Sequence, residues 1–89
     1  MATDHVHLVV EAAVLPAAQE AIRALESIEG DLTLDCSSVD RIGPDALRAL
    51  EELAVRADEK QVRVVLAGVS TGVYRVLKLV KLTSRFSFS

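Results

Sequence analysis

The triplet Gly43-Pro44-Asp45 fixes more of this chain than any other short stretch. Glycine serves as an N-cap, proline is favoured at the first helical position, and an acid in the first turn meets the positive end of the helix dipole. A helix therefore starts at Pro44. Apolar residues at 46, 47, 50, 53, 54 and 57 carry it to about Glu59. Before it, Leu32, Leu34 and Cys36 alternate with Thr33 and Asp35, which is the period of a strand. Residues 37–41, Ser-Ser-Val-Asp-Arg, have loop chemistry. A buried strand that turns through a short polar loop into a capped helix is one unit of an α/β sheet. In open sheets of that class, sites form at the loops outside strand C-terminal ends.

The flanking sequence supplies further units. His5–Glu11 reads as a first strand with His5 and His7 on one face and Val6 and Leu8 on the other, preceded by a frayed Met1–Asp4. Ala12–Leu15 reads as a connector. Pro16 opens a helix over Ala17–Ser27, with Ala18, Ala21, Ile22 and Leu25 inward. Glu29-Gly30-Asp31 reads as its stop and turn. Gln61–Ala67 is apolar enough to be buried on both faces. Ser70 or Thr71 caps a third helix, Val73–Leu82, with Val73, Val76, Leu77 and Val80 inward. Phe86 and Phe88 alternate in a short edge strand. The β-α-β-α-β-α-β order implies an α/β fold with a small four-stranded, mainly parallel or mixed sheet and right-handed crossovers. Eighty-nine residues make a single domain, 1–89.

Composition excludes several function classes. No apolar run approaches the ~20 residues that span a bilayer, so the chain is not membrane-embedded. Met1–Glu11 lacks a basic n-region, and Cys36 is the single cysteine, which together imply a cytoplasmic protein. All 13 acids lie in residues 1–59, whereas residues 60–89 hold six basic residues and no acid. That asymmetry can orient a partner. It does not suit nucleic acid, because the basic third sits beside a strongly acidic remainder and carries no recognised RNA-binding or zinc motif.

Chemistry-bearing patterns are sparse. The four glycines form neither a Walker loop nor a dinucleotide fingerprint. Both histidines precede residue 8, and no nucleophile elbow surrounds Ser37 or Ser38. His5-x-His7 has no third metal ligand nearby. Asp35, Asp40 and Asp45 cluster around one loop, where three acids could hold Mg²⁺. Turn and helix-start hydrogen bonds account for them without a metal. The expectation is a non-catalytic chain with no cofactor and no metal.

The run Leu34-Asp35-Cys36-Ser37-Ser38-Val39-Asp40-Arg41-Ile42, followed by Gly43-Pro44-Asp45-Ala46-Leu47, resembles the STAS domain of sulfate transporters and anti-sigma factor antagonists. Residues 64–70 and 73–79 resemble the next strand and helix of that domain. The likeness spans about Val6 to Phe86. Its texture is closest to free-standing anti-sigma antagonists and to the small STAS subunit of lipid-transport ABC systems, the MlaB type. The resemblance implies a binding role in transcription regulation or signalling. The partner would be an anti-sigma factor of the serine-kinase kind or a transporter ATPase. A nucleotide- or lipid-binding module is an alternative within the same family.

One departure falls at the family's switch. Its Asp-Ser-Ser-Gly pattern aligns with Gly43, Pro44, Asp45 and Ala46, so Pro44 stands where the phosphoacceptor serine would be. Asp45 supplies a fixed charge instead. Ser37 and Ser38 are the nearby hydroxyls left for a phosphate. The expected partner-binding residues are Ser38, Arg41, Gly43, Pro44, Asp45, Arg48, Glu52 and Val55. The family's extra leading strand is also missing, which leaves a sheet edge that could pair with another copy in a homodimer.

Overall fold

Each of four strands pairs with the strand next in sequence, and every pairing is parallel. The computed structural model describes residues 3–10 and 14–89. The elements are β1 (Thr3–Val9), α1 (Val14–Ala24), β2 (Ile28–Asp35), α2 (Pro44–Lys60), β3 (Arg63–Ala67), α3 (Thr71–Leu79) and β4 (Ser87–Phe88). The sheet is wholly parallel, which resolves the mixed alternative. A sheet that grows in one direction through right-handed crossovers receives all its helices on one face.

The alternation of burial shows which face that is. Leu32, Leu34, Val64 and Leu66 are buried, while Thr33, Asp35, Val65 and Ala67 between them remain partly accessible. The register aligns Leu8, Leu34, Leu66 and Phe88 across the sheet. Beneath the helices these meet Ala18, Ala21, Leu50, Leu53, Val73 and Leu77. Burying each of the larger aliphatic side chains contributes about 1.5–3 kcal/mol. The core holds no charged or polar residue among the described ones. β3 is therefore buried on one face, not on both. Its apolar run continues onto the open face at Val65 and Ala67.

Several boundaries differ from the sequence reading. β1 already includes Thr3 and Asp4, where a frayed end was expected. Met1, Ala2 and residues 11–13 lie outside the described residues. α1 starts at Val14, three residues before Ala17, because Val14 is buried and Pro16 fits the first turn, whose amides have no intrahelical acceptor. The helix ends at Ala24, and Leu25 is buried from the turn that follows. Glu29-Gly30-Asp31 is strand rather than turn. Three residues of β1, Thr3 to His5, oppose four of β2, Ile28 to Asp31. The β-bulge absorbs the extra residue at Glu29-Gly30.

α2 begins at Pro44 as its start signal requires and ends one residue beyond Glu59. Gln61 terminates it in the left-handed conformation, φ 58°. Gln61 and Val62 thus belong to the helix exit, not to β3. α3 is shorter than expected: it is capped by Ser70, whose Oγ accepts from the Val73 amide at 3.3 Å, and it stops at Leu79. Val80, expected inward, is 46% exposed. Lys81, at φ 62°, turns the chain back and lets Leu82 and Phe86 complete the core.

Candidate functional site

The loop between β2 and α2, residues 36–43, lies at the C-terminal end of the sheet. It is anchored from below and from the side. Val39 is 1% exposed and plugs the core. The Val39 amide donates to the Cys36 carbonyl at 3.0 Å, which closes a turn. The Cys36 amide donates to the Ala67 carbonyl at 2.7 Å, which ties the loop to the end of β3. Gly68, at φ 69°, lies flush against Ser37.

Asp35 organises the polar part. Its Oδ1 accepts from the Ser37 hydroxyl at 2.7 Å and from the Ser37 amide at 3.0 Å. The His7 ring nitrogen is 4.0 Å from Oδ2. The Ser37 hydroxyl, then the Ser37 amide, hold the carboxyl below its ordinary value against a desolvation that raises it, with His7 adding a smaller lowering. Burial, and secondarily the charge of Asp35, pushes the Cys36 thiol up to about 11. That thiol is held neutral and has no nucleophilic character at physiological pH.

The residues nominated from the sequence fall on one continuous outer surface. Ser38, Arg41, Gly43, Pro44 and Asp45 are all exposed along the loop and the first turn of α2. Gly43 has extended backbone, φ −93° and ψ 174°, and caps α2 through its carbonyl alone, which accepts from the Leu47 amide at 3.0 Å. Pro44 occupies the first helical turn. Arg48, Glu52 and Val55 continue along the exposed side of α2. Glu52 is held by Arg56 at 3.2 Å, an i,i+4 pair. Val55 is 46% exposed, a large apolar side chain only partly covered by the fold. Asp35, Asp40 and Asp45 are not gathered as ligands, and among the described residues no group of three acids, histidines or cysteines could hold a metal. Ser37 and Ser38 are both exposed, but only Ser37 is engaged by Asp35.

The sequence reading missed the contribution of α3. A shallow cleft of about 290 Å³ separates the loop from α3 and is lined by Asp40, Arg41 and Ile42 on one side and Gly72, Val73 and Val76 on the other. Val76 is half-buried there rather than fully inward. The only available signal was its place one turn after Gly72.

Comparison with known proteins agrees with this geometry. The sequence matches the STAS domain over residues 10–89. Among curated proteins nothing matches significantly. Several solved structures share the fold, two transporter proteins among them. One is a sulfate transporter family protein from Wolinella succinogenes, 20% identical, with a TM-score of 0.75 over 94% of this chain and 75% of that one. The other is the STAS domain of a SulP transporter from Vibrio cholerae, 18% identical, with a TM-score of 0.75 over all of this chain and 76% of that one. With the match running from Val10 through the loop and all three helices to Ser89, the chain belongs to the STAS domain family.

Proposed function

We propose that the domain is a non-catalytic regulatory module that docks a protein partner through residues 37–43 and the outer face of α2, in the manner of an anti-sigma factor antagonist. One observation carries this reading. The loop backbone is pinned at Val39, Cys36 and Ser37, while Ser38, Arg41, Pro44, Asp45, Arg48 and Val55 all remain exposed on its outer side and on α2. A rigid scaffold that presents a mixed polar and apolar surface suits recognition, because little conformational entropy is lost on binding.

The start of α2 has no hydroxyl, so a phosphate cannot be placed on Pro44. Asp45 offers about half the charge of a phosphate and no switch. The docking is then constitutive or controlled elsewhere. Phosphate on Ser37 would displace its hydrogen bond to Asp35 and set like charges together, which would loosen the loop. Ser38 carries no such constraint.

A second reading is supported by the transporter proteins among the solved relatives. Here the module serves a transporter, for example as the small STAS subunit beside an ABC ATPase. Titration calorimetry against a serine-kinase anti-sigma factor and against an ABC-transporter ATPase separates the two. Val55→Asp and Arg48→Ala should each weaken the correct complex by more than about 1 kcal/mol. Unchanged affinity for both variants would remove this face from the interface.

A further inference from the structure

At the far end of α3 the chain presents an apolar knob ringed by cations. Leu79 is 82% exposed, more than any other large hydrophobic among the described residues. Val80 is 46% exposed and meets Val55 and Leu82 in a groove of about 210 Å³, with Lys81, Arg85 and Glu51 around it. Arg75 lies one helical turn before Leu79, and Lys78 and Lys81 flank the Leu79-Val80 pair directly. Arg75, Lys78, Lys81 and Arg85 are all exposed. The ion pairs among the described residues are His7–Asp35, Glu52–Arg56 and Asp31–Arg63, so none of these four cations is neutralised. Glu51 is the one acid lining the groove, and Glu52, the next acid along α2, is taken up by Arg56.

Charge and shape together select the partner. Four unpaired cations require an anionic surface. The knob projects, and lysine, the residue that flanks it on both sides, is depleted in protein–protein interfaces. At a lipid surface the same lysines lay their methylenes along apolar atoms and keep the ammonium at headgroup level. We propose that this corner is a peripheral docking surface for an anionic lipid bilayer. Leu79 and Val80 enter the boundary between headgroups and acyl chains, and Arg75, Lys78, Lys81 and Arg85 meet the lipid phosphates. This proposal shares only Val55 with the protein-docking face on α2, and it does not depend on which partner docks there.

Vesicle flotation tests it with the whole chain. Vesicles of phosphatidylcholine with about 30% phosphatidylglycerol should retain the protein at about 0.05 M salt; pure phosphatidylcholine, or about 0.5 M salt, should not. Lys78→Gln with Lys81→Gln should weaken partitioning roughly 30-fold, and Leu79→Ser roughly 10-fold. Lys81→Gly is the decisive single variant. It relieves a left-handed non-glycine residue, so thermal stability should rise while partitioning falls roughly fivefold. Arg23→Gln removes an exposed cation on α1, away from this corner, and should leave partitioning unchanged. Failure to float with phosphatidylglycerol vesicles overturns the proposal. So does equal weakening by Arg23→Gln, or binding to a soluble acidic amphipathic peptide with no binding to vesicles, which would assign the corner to a protein.

Discussion

Gly68 and Ser37 stand so close that a methyl group on Gly68 would lie 2.9 Å from the Ser37 Cβ and 3.1 Å from its Cα. The contact locks the exit of β3 to the loop that leads into α2. Two costs coincide at this position, because Gly68 also has φ 69°. A left-handed alanine costs about 1–2 kcal/mol, and overpacking against backbone adds about 1–3 kcal/mol. Gly68→Ala should therefore lose about 2–5 kcal/mol in urea unfolding, with a fall in Tm of about 4–8 °C for each kcal/mol. Gly72→Ala is the contrast. Nothing lies within 4 Å of its would-be Cβ, so the helical propensity of alanine should leave stability equal or higher.

Asp35 predicts a specific acid limb. Its carboxyl sits below the ordinary value of 3.8, chiefly because the Ser37 hydroxyl and amide donate to it. A carboxyl depressed in the folded state stabilises the fold above its unfolded pKa and loses that contribution as pH falls through the folded value. Ser37→Ala removes the hydroxyl's share. The gap in urea midpoint between wild type and Ser37→Ala should be constant near neutrality and close as the pH falls below the ordinary carboxyl value of 3.8. A gap that stays the same at every pH would mean the hydroxyl acts through packing alone.

Cys36 offers a reporter of opening. It is buried, and its thiol is raised to about 11. At pH 8 a thiol reagent should label the native chain only through transient unfolding, and should label it stoichiometrically within minutes in strong denaturant. Adding a low concentration of denaturant should raise the native labelling rate in step with the unfolded population. Rapid labelling without denaturant would contradict the burial of the β2 exit.

The elements with strong local signals were legible in advance. Gly43-Pro44-Asp45 placed the start of α2 because cap, ring and charge all act within one turn, and the alternating Leu32, Leu34 and Cys36 placed the inward face of β2. The errors arose where a distant partner decides. Glu29-Gly30-Asp31 has turn composition, yet β1 recruits it into the sheet through a bulge. Val14 has no local start signal and is helical because the core takes its side chain. Val80 keeps the helical spacing of Val73 and Val76, but α3 ends before it, and the left-handed Lys81 redirects the chain. The loop was identified correctly as the junction with α2, while the cleft it forms with Gly72 and Val76 depends on tertiary placement that spacing alone does not encode.

Helices clothe one side of this sheet and leave the other to His7, Thr33, Val65 and the Asp31–Arg63 pair. The ion pair there contributes little to cohesion, since an exposed pair is worth about 0–1 kcal/mol, so its two positions can be rewritten with little loss of stability. Two chains of this design could keep the same helical side and still differ completely in what they present on their backs.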